Sequence, residues 1–208
     1  MEAHEFSLVG GPIPQNSGYA VYAALTTIMP ALHGRRGMQV APIGGTRVKN
    51  DPSVINFDQR SRLQIRGISD EEATILQDKA LNVLGNFVIL KRWTKRTINP
   101  RSVMASRIVI YKNRQKDSRR PLDADPTEEQ GFMVYLMEQL TKMGADPKTV
   151  TMKLGSRRAL KFKDCHFLGF SVSLVVPDPT LAEIILKNGL GSFQTMGCGI
   201  FRPYLYVR

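Results

Sequence analysis

Gly189-Leu190-Gly191-Ser192-Phe193-Gln194-Thr195-Met196-Gly197-Cys198-Gly199-Ile200-Phe201 reads as two Gly-x-Gly pairs held five residues apart. Glycine takes left-handed backbone angles at little cost and lets another backbone approach closely. The segment follows an apolar helical pattern from Leu181 to Leu186 and precedes an apolar run from Ile200 to Val207. That order, helix then loop then strand, makes Gly189 a C-cap. It also excludes two phosphate loops. The P-loop needs Lys-Ser or Lys-Thr after its last glycine, and the dinucleotide fingerprint follows a strand and opens a helix.

Working outward, each half of the chain has the same order of elements. Glu5 to Val9 suits a strand closed by Gly10-Gly11-Pro12. A helix follows from Asn16 or Ser17, with Val21, Leu25, Ile28 and Leu32 on one face. Pro30 should end or kink it, because proline has no N–H to donate. Met38 to Ile43 and Ser61 to Arg66 read as strands, with Gly44 to Ser53 a polar loop between them. Ser69-Asp70-Glu71-Glu72 is a capping box opening a helix with Ala73, Leu76 and Ala80 on one side. Val83 to Leu90 then reads as a strand, and basic Lys91 to Pro100 as the boundary. Beyond it come a strand from Val103 to Tyr111 and a basic loop from Lys112 to Leu122. Asp125-Pro126 should open a helix whose face is Met133, Leu136, Leu140 and Met143. A hairpin follows (Ala159 to Phe162 with Phe167 to Val176), then a helix opened by Asp178-Pro179, the glycine loop and a last strand. Two β-α-β-β-α-β units predict an α+β chain of tandem ferredoxin-like domains, at 1–98 and 99–208 with the glycine-rich loop at 189–199.

The 208 residues carry 29 basic and 18 acidic side chains, a net charge of +11. Such an excess points to a polyanion, nucleic acid before membrane, since no apolar 18-residue run or basic amphipathic helix is present. The two cysteines, Cys165 and Cys198, form neither a Cys-x-x-Cys pair nor a disulfide framework, and no signal peptide opens the chain. A reducing cytoplasm fits.

The glycine loop resembles that of the CRISPR-associated endoribonucleases that cut repeat RNA, the sixth Cas family of the RAMP superfamily. Gly18-Tyr19-Ala20-Val21-Tyr22 followed by Met29-Pro30-Ala31-Leu32-His33 is similar to that family's first helix, which brings a histidine toward the loop. Met196-Gly197-Cys198-Gly199-Ile200-Phe201-x-Pro203 matches one branch of it. The resemblance implies RNA cleavage without metal or small-molecule cofactor, by attack of a 2′-hydroxyl on the adjacent phosphate, leaving a 2′,3′-cyclic phosphate and a 5′-hydroxyl. His33 becomes the general acid or base, Tyr19 or Tyr22 orients the hydroxyl, and Lys153, Arg157 or Arg36 offsets phosphate charge. The implied partner is a CRISPR repeat RNA hairpin, gripped by Arg35, Arg36, Lys153, Arg157, Arg158 and Lys161 and by the loop glycines Gly189, Gly191, Gly197 and Gly199. Further clusters sit at Lys91, Arg92, Lys95 and Arg96 around Trp93, and at Lys112, Arg114, Lys116, Arg119 and Arg120. Trp93 reads as a stacking platform or an interface residue; His4 and His166 read as structural.

Two features depart from the family pattern. Ser192 to Met196 contains no cation, and Ser17 stands where close relatives often carry a histidine. Both favour an alternative, a catalytically silent stem-binding subunit that meets other subunits of a guide-RNA effector complex. Other enzymes on this architecture are excluded by residue type. The three histidines do not form paired His-x-Ser/Thr motifs, Asp123 and Asp125 read as loop and helix cap rather than a metal-binding pair, and the aromatic RNA-binding motif of RRM sheets is absent.

Overall fold

Ser69 closes the capping box that its sequence promises. In the computed structural model, which describes residues 1–111, 128–162 and 165–204 and the backbone alone at 161, 165 and 166, Ser69 Oγ accepts the Glu72 N–H at 3.2 Å. Glu72 Oε2 accepts the Ser69 N–H at 2.8 Å in return. The helix this starts, α2 (Asp70–Leu76), is seven residues long. Ala80 lies beyond it, in a strand rather than on the helix face.

The described residues form two compact units. The first holds Glu2–Ile98 and Gln194–Gly197. Its elements are β1 (Glu2–Gly10), β2 (Ile13–Pro14), α1 (Gly18–Ile28), β3 (Gln39–Val40), β4 (Thr46–Val48), β5 (Asp51–Asn56), β6 (Arg62–Arg66), α2, β7 (Ala80–Val83) and β8 (Asn86–Thr97). A five-stranded antiparallel sheet runs in the order β3-β6-β1-β8-β7, and β2, β5 and β4 form a smaller one. Strand alternation sends Phe6, Leu63, Ile65, Val88 and Leu90 to one face, where Val21, Leu25 and Leu76 from the helices complete the core. Each such side chain contributes about 1.5–3 kcal/mol by leaving water. Pro30 acts as its chemistry requires: α1 stops at Ile28 and a single 3₁₀ turn, Pro30–Leu32, follows.

The second unit holds Asn99–Phe193 and residues from Cys198 onward. It comprises β9 (Val103–Ile110), α3 (Glu129–Lys142), β10 (Thr151–Phe162), β11 (Cys165–Val175), α4 (Pro179–Asn188) and β12 (Arg202–Pro203). Its antiparallel sheet runs β10-β11-β9-β12. Asp178 caps α4 by accepting the Thr180 N–H at 2.8 Å, and Gly189 ends it at φ +67°. Among the described residues no helix is long and apolar enough to cross a membrane.

Several expectations need correcting. Val83 to Leu90 is a hairpin, not one strand, because Leu84 and Gly85 both take positive φ (55° and 87°) and Asn82 Oδ1 holds the Gly85 N–H. Lys91 to Thr97 is strand, since β8 continues to Thr97, pairing with β1, and the two units divide after Ile98. Gly44 to Ser53 contains β4 and the start of β5, while the expected Met38–Ile43 strand shrinks to two residues before Pro42. The core face of α3 is Phe132, Leu136 and Leu140, with Met133 39% exposed; Phe132 lies against Phe170, ring centres 4.9 Å apart. The helix starts at Glu129, and the expected Asp125 cap lies outside the described residues. The last strand is Arg202–Pro203 in the described residues.

Leu84 is 65% exposed yet held at φ +55°, a conformation that costs a β-carbon-bearing residue about 1–2 kcal/mol and that Asn tolerates better. Replacing it should recover part of that cost without losing core contact. Leu84→Asn is expected to raise stability by about 1 kcal/mol, read as a higher urea midpoint at unchanged slope.

Candidate functional site

His33 and Tyr22 lie together although Pro30 interrupts the helix between them. His33 N–H donates to Pro30 O at 2.9 Å, so the 3₁₀ turn carries the chain back over α1. The His33 ring is exposed and lies over Tyr22, with ring centres 6.3 Å apart and planes 24° from parallel. Tyr22 is 7% exposed, and its hydroxyl oxygen accepts the Gly34 N–H at 2.9 Å. Tyr22 thus supports the histidine turn; its hydroxyl accepts this bond and keeps its own O–H to donate, but the residue is buried. Tyr19, one turn earlier, is half-buried.

Arg35 is already engaged. Its guanidinium pairs with Glu72, the same carboxylate that caps α2. Burial pushes the Glu72 carboxyl up, but the Ser69 N–H and the Arg35 charge outweigh it and hold the group below its ordinary value. The pair is therefore ionised throughout the neutral range in which a histidine titrates. Arg36, the next residue, is exposed.

The glycine loop is built from close approaches. A β-carbon on Gly18 would sit 2.0 Å from the Met196 carbonyl oxygen, and one on Gly197 would sit 3.2 Å from the Pro42 ring. These contacts seat residues 194–197 on the start of α1 and on the chain after β3, within the first unit. In the second unit a β-carbon on Gly191 would meet Ile110 O and Val109 Cγ1, each at 2.6 Å. The backbone donors of all four loop glycines are spoken for: Gly189 to Ile185 O, Gly191 to Gln139 Oε1, Gly197 to Gln194 O and Gly199 to Ile108 O. At those positions the N–H groups serve the loop's own shape.

Sequence reasoning missed the side chains that hold this loop. Gln139 of α3 accepts from Gly191 at 2.8 Å and donates to the Tyr135 hydroxyl at 2.6 Å. Burial, and then the neighbouring Tyr111, push the Tyr135 hydroxyl above its ordinary pKa, against the pull of hydrogen bonds with Ser192 and Gln139. Their spacing, i and i+4 on α3, was the available signal. Phe193 takes φ +68° and packs with Phe162 and Phe167, ring centres 4.9 to 5.5 Å apart. The loop thus has an aromatic anchor where the family pattern has a cation. Cys198 is buried, and that burial pushes its thiol up to about 12.

The cations divide into spent and available. Around Trp93, Lys91 pairs with Asp78, Lys95 with Asp70 and Glu2, and Arg96 with Glu5. Trp93 itself packs on the first unit's core and against His4, which is buried and bonded to Asp70 at 2.8 Å. This cluster closes a strand to a helix. On β10, by contrast, Lys153, Arg157 and Arg158 are exposed along an edge strand. Arg157 and Arg158 lie within that strand, opposite Phe170 and Gly169, rather than ahead of a hairpin. Lys161 occupies the same strand opposite His166. The cations from Lys112 to Arg120, together with Asp123, Asp125 and Lys163, lie outside the described residues.

Comparison with known proteins agrees across sequence and fold. The family model described as Cas6 Crispr matches residues 4–205. A CRISPR-associated endonuclease Cas6 from Myxococcus xanthus (strain DK1622) is 25% identical over 200 residues, covering 95% of this chain and 79% of that relative. Among solved structures, a RAMP protein binding different RNA substrates aligns with a TM-score of 0.71 at 14% identity, over 97% of this chain and 99% of the other. A Cas6-related protein from Pyrococcus furiosus aligns with a TM-score of 0.63 at 16% identity, over 96% and 97%.

The space at Gly18 sets a direct test of the loop seat. Gly18→Ala forces a backbone carbonyl to move, so it should cost about 1–3 kcal/mol. The same change at Gly34, where a β-carbon meets nothing within 4 Å but φ is +68°, should cost about 1–2 kcal/mol from backbone strain alone. Thermal unfolding of both variants checks the pair. An unchanged or raised Tm in Gly18→Ala would leave the close approach at Gly18 without energetic weight, since that position carries no positive φ.

Proposed function

The chain belongs to the Cas6 family, and we propose that it is an endoribonuclease that cuts CRISPR repeat RNA within its hairpin in the cytoplasm. The observation that carries this is the exposed His33 ring, braced on Tyr22 at the end of the helix whose start meets the glycine loop. The curated relative is named an endonuclease, and the RAMP neighbour is described as binding RNA. The domains are read as 1–98 and 99–208, each a ferredoxin-like unit. Strand orders β8-β1-β6-β3 and β12-β9-β11-β10 support that reading, with β7 added to the first sheet as the outer arm of a hairpin.

Cleavage without a metal asks little of the protein. The 2′-hydroxyl must be aligned with the adjacent phosphate, protons must move, and the developing phosphorane charge must be offset. His33 is assigned the proton transfer, which contributes about 10²- to 10⁴-fold for a well-placed histidine. Tyr19, half-buried, is assigned the orientation of the 2′-hydroxyl ahead of Tyr22, which is buried beneath the histidine turn. Arg36, Lys153, Arg157, Arg158 and Lys161 are assigned to phosphates. Arg35 leaves that set because Glu72 holds it. The glycines at 189, 191, 197 and 199 shape the loop.

A second reading has its own observation. Ser17 is buried beside the loop, no cation lies between Ser192 and Met196, and the four glycine N–H groups are used internally. Such a loop suits a subunit that binds a stem without cutting it and docks with other effector-complex subunits.

Incubation with the cognate repeat RNA in EDTA separates the two. Cleavage should proceed, should stop when the scissile nucleotide carries a 2′-deoxy, and should fall at least about 10²-fold in His33→Ala. Tight binding without cleavage supports the silent subunit. Binding itself should weaken with salt at a log–log slope reduced by about 1 for each β10 cation removed.

A further inference from the structure

Glu72 spends its two oxygens on different elements. Oε2 accepts the Ser69 N–H at 2.8 Å and completes the α2 cap. Oε1 takes the guanidinium of Arg35, 37 residues away in sequence. A capping box requires only one of these bonds. The other reaches into the turn that begins at His33.

Buried Leu32 and Met38 anchor the two ends of that turn, and the Gly37 carbonyl packs against Gly67, leaving the exposed or half-buried residues 34–36 between them. Gly34 and Gly37 sit at φ +68° and +76° and bring no side chains. The Arg35 N–H reaches Leu32 O only at 3.4 Å, near the limit for a hydrogen bond. Two side chains from other elements fix it instead: the Tyr22 hydroxyl on Gly34 N and the Glu72 carboxylate on Arg35. Glu72 and Arg35 have side chains 21% and 34% exposed, so their pairing is shielded more than a surface ion pair. His33 directly precedes Gly34 and lies two residues from Arg35, and its ring is exposed.

We propose that Glu72 is a positioning residue for His33, acting through its ion pair with Arg35 to hold the turn that presents the imidazole. The proposal rests on the reading of His33 as the acid–base group. Its role is geometric. Loss of the pair leaves RNA binding intact and slows the chemical step, because small misplacements of a catalytic group are costly while phosphate contacts elsewhere persist.

The test measures single-turnover cleavage and equilibrium binding of the cognate repeat RNA with wild type, Glu72→Gln, Arg35→Gln, the double variant and His33→Ala. Glutamine at 72 keeps an oxygen for the Ser69 N–H, so α2 stays capped, and Arg35→Gln leaves α2 untouched. Each single variant should cut about tenfold more slowly with Kd within about twofold of wild type. The double variant should be no slower than either single, since both remove one interaction. Wild-type cleavage in Glu72→Gln overturns the proposal, as does a double variant whose losses multiply. Arg35→Gln that weakens binding while bound RNA is cut at the wild-type rate also overturns it, by making Arg35 a phosphate contact. If His33→Ala cuts like wild type, the acid–base reading falls, and the proposal with it. If His33→Ala is inactive while Glu72→Gln is normal, the proposal alone falls.

Discussion

A carbonyl oxygen fills the space that a β-carbon on residue 18 would need. Much of the candidate site depends on that close approach. The helix α1 starts against the Met196 carbonyl, runs eleven residues with Tyr22 at its middle, and ends at Ile28. Because a packed helix is stiff over this length, fixing its start fixes the course of α1, and the turn beyond Pro30 then brings His33 back over Tyr22. Glycine at 18 is thus required by contact rather than by backbone angle, which distinguishes it from Gly34 and Gly37.

The same distinction changes what the glycine loop is for. Loops rich in glycine are often anion cradles, because bare N–H groups can converge on phosphate. Here four of the loop's N–H groups are satisfied by Ile185, Gln139, Gln194 and Ile108. Buried donors with internal partners gain little by turning to a ligand, since each bond broken must be replaced. The loop is better understood as a molded support. Phe193, strained at positive φ and packed among Phe162 and Phe167, belongs to that mold.

Local signals were legible in the sequence, and long-range ones were not. The Ser69–Glu72 box, the Pro30 stop and the Asp178 cap depend on residues within four positions of each other, and each forms as its spacing dictates. The hairpin at Leu84-Gly85 escaped because leucine rarely accepts φ +55°, so nothing in its identity announces a turn. The Lys91–Thr97 segment read as basic boundary rather than strand because its carboxylate partners, Asp78, Asp70 and Glu5, come from other elements. Glu72 was readable as a cap but not as the partner of Arg35, and Gln139 was not readable as the partner of Gly191. In the site, Tyr22 and His33 were legible as candidates, but Pro30 broke the helical spacing between them, and neither their stacking nor the bonds that hold the pair could be read.

These pairings also refine the meaning of the net charge of +11. A charge total counts Lys91, Lys95 and Arg96 equally with Lys153, Arg157 and Arg158, yet the first three face carboxylates and the last three face solvent on an edge strand. A cation already paired must give up its partner before it can neutralise a phosphate, whereas an exposed one only sheds counterions or water. Among the described residues, β10 thus offers three exposed cations along one edge strand, while the acids of the first unit lock β8 to β1 and α2. Unequal pairing, more than the excess itself, gives a uniformly basic composition a direction.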